Sequence, residues 1–191
     1  LGWANHSWTN KSWEAGTRQQ KEMTLMQMVY NEDEYIKHFY DVLPALKDKR
    51  YITVDNKPLF LVWSPTDIPS ANTFIQLWQQ LAKENGLNGI HFVGIQQSII
   101  NDHIRLQELL FKRIPNQATK IYQHILELGF DAINSRGYNR ADLCCRTLWD
   151  IIYRAITIRL FKYYPISKCD QRQINRHLYS QEDTQEHVYP T

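Results

Sequence analysis

Tyr51-Ile52-Thr53-Val54, Asp55-Asn56-Lys57 and Pro58-Leu59-Phe60-Leu61-Val62-Trp63, closed by Ser64-Pro65, read in order as a short strand, a turn and an unbroken apolar strand. The Asp-Asn pair supplies the turn because short polar side chains satisfy local backbone groups and tolerate left-handed backbone. An unbroken apolar run of this length implies a strand covered on both faces, as in the interior of a parallel sheet. Ser64-Pro65 ends it.

Helical periodicity lies on either side. Asn31, with Glu34 three positions on, forms a capping-box-like start, and Ile36, Phe39, Tyr40 and Leu43 follow at helical spacing until Pro44 interrupts. Downstream, Phe74, Ile75, Leu77, Trp78 and Leu81 line a helix that begins near Ser70 and ends before Gly86, a residue suited to a left-handed cap. Ile90 to Ile95 is the next strand. A helix from about Ile104 to Arg113, broken by Pro115, precedes another around Thr119 to Leu128, with Gly129 as its stop and Phe130 to Ile133 as a further short strand. Ala141 to Tyr164 lacks Gly and Pro and predicts a helix of about six turns. Its aromatic residues Tyr153, Phe161, Tyr163 and Tyr164 suit a core or a face for missing elements. After Pro165 the composition turns polar, and Ser167 to His187 reads as a loop with one short helix.

Strands alternating with helices imply parallel units of the α/β class. Polar residues fall where each strand ends: Asn5-His6-Ser7, Ser64, Gln96-Gln97-Ser98 and Asn134-Ser135-Arg136. In a (β/α)8 TIM-type barrel such ends gather on one face, where the active site is built. No Gly-rich phosphate loop opens any helix, which weakens a dinucleotide-binding reading. Four strand candidates amount to about half a barrel. The expected architecture is therefore a single partial (β/α)8 domain over 1–191, with 165–191 as a polar, loop-rich end. The chain opens on Leu1 inside a motif and closes at Tyr189-Pro190-Thr191 as a new apolar segment begins. It is expected to be an internal fragment, truncated at both ends, with the rest of the barrel as its partner.

The segment Gly2-Trp3-Ala4-Asn5-His6-Ser7-Trp8-Thr9-Asn10-Lys11-Ser12-Trp13-Glu14 holds half of the chain's six tryptophans among amides, hydroxyls and an imidazole. That mixture suits a sugar, whose C–H face lies on an indole and whose hydroxyls need groups that donate and accept. Trp3, Asn5, His6, Trp8, Trp63 and Gln96 are the candidate substrate-binding residues. Each has a structural alternative: a tryptophan at the edge of a core, a histidine fixed to a carbonyl, an amide satisfying loop backbone. His91, alternating with apolar neighbours, reads as a structural histidine.

Trp-Ala-Asn-His-Ser-Trp-Thr followed by Trp13-Glu14 resembles the Trp-Ala-Asn-x-x-Trp-Thr box of the WbsX-like glycosyltransferase family, itself similar to glycoside hydrolase family 99. Blocks at Tyr30 to Tyr35, Leu43 to Ile52, Val54 to Trp63 and Gly129 to Ala132 agree in order and spacing. His6 departs from the pattern, which more often has Glu there. The resemblance implies a (β/α)8 barrel and sugar transfer in bacterial O-antigen, capsule or lipopolysaccharide assembly, with an activated sugar donor. A family 99-like, endo-mannosidase-type glycoside hydrolase and a non-catalytic glycan-binding module are the alternatives that stay open.

Glycoside cleavage usually needs two carboxyl groups about 5 to 9.5 Å apart. Glu14 and Asp67 lie in loops and Asp131 stands early in its strand, and none forms a recognisable pair. The Asn-Glu-Trp-x-x-Glu-like box that the resemblance implies is absent, so the catalytic residues are expected downstream of Thr191. No cofactor is called for. Cys144, Cys145 and Cys169 lack Cys-x-x-Cys spacing, so no metal site is expected. They also argue against a disulfide framework and fit a reducing, cytoplasmic setting. A net charge of +2 leaves no footprint for nucleic acid, and no apolar run is long enough to span a membrane.

Overall fold

The computed structural model describes residues 1–9, 23–95, 115–134, 141, 145, 147–161, 170–178, 184 and 186–189. Glu14, Gln96 to Ser98, the helix expected over 104–113, Ser135-Arg136, Tyr163, Tyr164, Cys144 and Cys169 lie outside them.

Local chemistry accounts for most of the elements. Helix α1, Glu32–Leu46, starts where the Asn31 side chain accepts from Glu34 N at 2.8 Å, with three acidic residues in its first turn facing the positive end of the helix dipole. Pro44 does not stop it. The proline sits in the last turn, beyond the buried Phe39, and α1 runs on to Leu46 before Lys47 N–H closes on the Leu43 carbonyl. Asp55 and Asn56 both take positive φ, 50° and 58°, so a two-residue turn joins β4, Thr53–Val54, to β5, Lys57–Trp63, and Lys57 already belongs to the strand. Helix α2, Ala71–Glu84, ends at Gly86 with φ 80°, around which Leu87 N–H returns to the Ala82 carbonyl. Pro115 opens α3, Pro115–Glu127, as its first residue, where a missing N–H costs nothing, and Gly129 at φ 101° follows its end.

Strand β6 is His91–Ile95 and β7 is Ala132–Asn134. With β1, Gly2–Trp3, and β8, Val188–Tyr189, they make a sheet in the order β1-β5-β6-β7-β8, all parallel, with β4 as an antiparallel appendage on β5. Neighbours along this path follow chain order without reversal. A separate antiparallel pair joins β2, Trp8–Thr9, to β3, Thr24–Met26.

Two expectations change. Burial on both faces of β5 does not occur: Pro58, Phe60 and Val62 are buried while Leu59, Leu61 and Trp63 are half-buried. The register explains it. Phe60, Val62, Phe92, Gly94, Ile133 and Val188 share the face against which α1, α2 and α3 pack, through Phe39, Phe74, Trp78 and Ile125. On the other face Leu59, Leu61 and Trp63 of β5 are half-buried, while Val93 and Ala132 are buried. Second, the six-turn helix from Ala141 is interrupted. Thr147 and Asp150 cap each other's backbone N–H groups at 3.2 and 3.0 Å, so α4 starts afresh and runs Leu148–Phe161. Its aromatics are not core: Tyr153 and Phe161 are exposed. The polar end holds a short helix, α5, Gln171–His177, capped by Asp170, and beyond His187 it supplies β8 as a fifth parallel strand. The path ends at β1 and β8, and the described residues form no closed barrel.

The core between sheet and helices is aromatic. Trp78 is buried against Phe60 at 4.8 Å and Phe74 at 5.0 Å between ring centroids, and its Nε1 donates to the Tyr35 carbonyl at 3.0 Å, tying α2 to α1.

Candidate functional site

The carboxyl ends of β1, β5 and β6 lie side by side, because β1 pairs with β5 and β5 with β6 in parallel register. The tryptophan box leaves β1 at this edge. Its residues separate by face, and the register decides which way each goes.

Trp3 pairs with Val62 and so faces the helices. Its indole packs on Phe74 at 5.0 Å, His38 at 5.3 Å, Tyr35 at 6.1 Å and Tyr30 at 6.4 Å. Trp3 is thus half-buried in the packing layer between sheet and helices rather than standing free at the edge. Asn5 leaves the sugar-binding set. It is 0% exposed, its Nδ2 donates to the Ser64 carbonyl at 3.2 Å, and its own carbonyl accepts from the Tyr30 hydroxyl. A side chain with no accessible surface touches no ligand.

His6 and Trp8 project outward. Their rings stack at 24° with centroids 6.4 Å apart, and Trp8 remains 39% exposed on the small β2–β3 sheet. Ser7 anchors that sheet, its Oγ accepting from Met28 N at 2.9 Å. Trp63 ends β5 on the face away from the helices, half-buried, beside Ile95 of β6 in register. Gln96 follows Ile95 in sequence and lies outside the described residues. The structure thus brings His6, Trp8 and Trp63 to one edge, with Trp3 and Asn5 beneath it.

Two supporting residues escape a sequence reading. Tyr30 donates to the Asn5 carbonyl from the position just before the α1 cap, with its ring against Trp3 at 6.4 Å; the capping signature at Asn31 is the sequence signal for that position. Burial, then the nearby Asp67 charge, raise the Tyr30 pKa, so the phenol keeps the proton it donates. Ser64 adopts left-handed backbone, φ 45° and ψ 60°, and donates its N–H to the Ile95 carbonyl at 2.7 Å. Nothing in a Trp-Ser-Pro sequence announces that conformation.

Of the carboxylates, Asp67 is exposed in the turn after β5. Asp131 is committed elsewhere, its Oδ2 accepting from Phe92 N at 2.8 Å. His91 is buried with Nε2 3.1 Å from the Tyr189 hydroxyl, which is the structural role its alternation suggested. Among the described residues no group of three or more His, Cys, Asp or Glu side chains is placed to hold a metal ion, and no helix is long and apolar enough to cross a membrane.

Comparison with known proteins agrees with the tryptophan box. The sequence profile of the family described as "Glycosyltransferase WbsX" matches residues 1–191. The chain is also similar to "Uncharacterized protein WxcX" of Xanthomonas campestris pv. campestris, in strain B100 and in strain ATCC 33913. The identity is 24% over 96 residues, 50% of this chain and 13% of each relative. No solved structure gives a significant match. The chain belongs to the WbsX glycosyltransferase family.

Proposed function

We propose that residues 1–191 form one arc of a (β/α)8-type barrel whose carboxyl edge binds a sugar, in a protein that transfers glycosyl groups during assembly of a bacterial surface polysaccharide such as an O-antigen or capsule. The observation that carries this reading is the emergence of His6, Trp8 and Trp63 at one edge of parallel strands that follow chain order. Three helices packed on a single face of such strands fit a barrel wall, whereas a doubly wound sheet has helices on both faces and a reversal of strand order. The exposed Trp8 indole beside the His6 imidazole, with the half-buried Trp63 ending β5, suits the C–H face and hydroxyl rim of a pyranose. Trp8 and Trp63 are assigned the stacking, and His6 a hydroxyl contact. The acid and base are assigned to carboxylates elsewhere in the whole protein, since Asp131 holds a backbone N–H and Asp67 is exposed in the turn after β5. Transfer from a nucleotide-activated donor places the reaction in the cytoplasm.

The test incubates the whole protein with a panel of nucleotide-sugars and oligosaccharides cut from bacterial surface polysaccharide, following nucleotide release and product mass. Nucleotide release that depends on the oligosaccharide supports transfer. Reducing sugar appearing without a donor replaces it with a family 99-like hydrolase. Binding with neither product leaves a glycan-binding module.

A further inference from the structure

We propose that Asn5 is a positioning residue, whose side-chain amide sets the placement of His6 relative to Trp63 by clamping the ends of the two strands that carry them. The inference rests on the sugar-site reading above, and it concerns a side chain that never meets the sugar.

The amide orientation is determined by its partner. A carbonyl only accepts, so the Asn5 atom 3.2 Å from the Ser64 carbonyl is the nitrogen, and Oδ1 points the other way. Oδ1 is buried, and among the described residues it has no donor. Burying an amide oxygen without a partner disfavours Asn over an apolar side chain at this position. What offsets that cost is the far end of the amide.

Ser64 is held from two sides. Its carbonyl accepts from Asn5 Nδ2 and its N–H donates to the Ile95 carbonyl at 2.7 Å, so three strand ends are joined through one buried residue. Its left-handed backbone, unfavourable for a residue with a Cβ, persists only where surroundings dictate it. Trp63 immediately precedes this kink and His6 immediately follows Asn5. A rotation at Ser64 therefore swings the Trp63 indole, and a slip of Asn5 moves the His6–Trp8 stack. The Tyr30 hydroxyl completes the clamp by gripping the Asn5 carbonyl.

The test uses the whole protein labelled with 5-fluorotryptophan, with the Trp63 and Trp78 fluorine resonances assigned through Trp63→Phe and Trp78→Phe. Asn5→Asp keeps the side-chain shape but sets an oxygen against the Ser64 carbonyl. Tyr30→Phe loosens the same clamp from its other end and serves if Asn5→Asp does not fold. Gln79→Ala, at the opposite end of β6, is the stability control. We expect Asn5→Asp or Tyr30→Phe to shift or split the Trp63 resonance while Trp78 stays in place. In the nucleotide-release assay, kcat/KM should drop by about tenfold to a hundredfold at a temperature where the variant is folded, with Gln79→Ala near wild type. An unmoved Trp63 resonance in the folded variants, or an equal shift in Gln79→Ala, overturns the proposal. If the wild type releases no nucleotide, the transfer reading fails while the fluorine spectra still decide whether Asn5 positions Trp63.

Discussion

The indole of Trp3 lies 5.0 Å from the ring of Phe74 at an interplanar angle of 45°, on the side of the sheet opposite to Trp63. Five residues further on, Trp8 stacks with His6 in the open. Two tryptophans of one short motif therefore have opposite surroundings.

Their truncations should separate. Trp3→Ala empties a site among four aromatic rings and is expected to lower folding stability by about 2 to 4 kcal/mol, below the usual upper range because Trp3 is only half-buried. Trp8→Ala should change stability by less than about 0.5 kcal/mol, as exposed substitutions do, while weakening sugar binding about tenfold to a hundredfold. Denaturant melts of both variants beside their sugar titrations check this. A large stability loss in Trp8→Ala, or none in Trp3→Ala, contradicts the assignment of faces.

Acid should weaken the α1 packing through His38. Burial among Trp3, Phe60 and Trp78 lowers its pKa, and the Asp41 charge opposes this in part. The folded imidazole stays neutral at a pH where the unfolded chain takes up a proton, near pH 6.5. The stability is then fully present above about pH 6.5 and falls as the pH drops through the lower, folded-state pKa. We expect the melting temperature to decline between pH 7 and pH 5, and to decline less in His38→Phe. Equal slopes for the two proteins count against this role.

Gly94 admits no side chain. A Cβ there lies 2.9 Å from Ile125 Cγ2 and 3.1 Å from Pro65 Cγ, so Gly94→Ala forces α3 off β6 and should cost about 1 to 3 kcal/mol. Adding Ile125→Ala removes the Cγ2 methyl at the clash, so the double variant should be more stable than the sum of the two single losses predicts. A double-mutant cycle measured by urea unfolding tests the coupling; strict additivity of the two changes contradicts direct contact.

Gln79 acts as a surrogate strand at the amino end of β6. Its amide donates to the Ile90 carbonyl at 2.7 Å and accepts from Ile90 N–H at 2.9 Å. Gln79→Ala leaves both buried backbone groups without that partner and should cost about 1 to 3 kcal/mol, with faster hydrogen exchange at the Ile90 amide. Gln79→Glu retains the acceptor alone and should fall between. An unchanged Ile90 exchange rate in Gln79→Ala rules the tether out.

The sequence by itself determined the alternation of strands and helices, the Asn31 cap, the Asp55-Asn56 turn and the glycine stops at Gly86 and Gly129, because each depends on groups within a few residues of one another. It also marked the tryptophan box as the place to look for sugar. Only tertiary structure decided which members of the box face outward. Side-chain direction in a strand has period two, and β1 and β8 are two residues long, too short to display any period. The facing of Trp3 comes from its register against Val62, and the burial of Asn5 from a carbonyl 59 positions away. The half-buried face of β5 has the same origin: composition makes Leu59, Leu61 and Trp63 as apolar as Phe60 and Val62, but α1, α2 and α3 pack on the face of Phe60 and Val62.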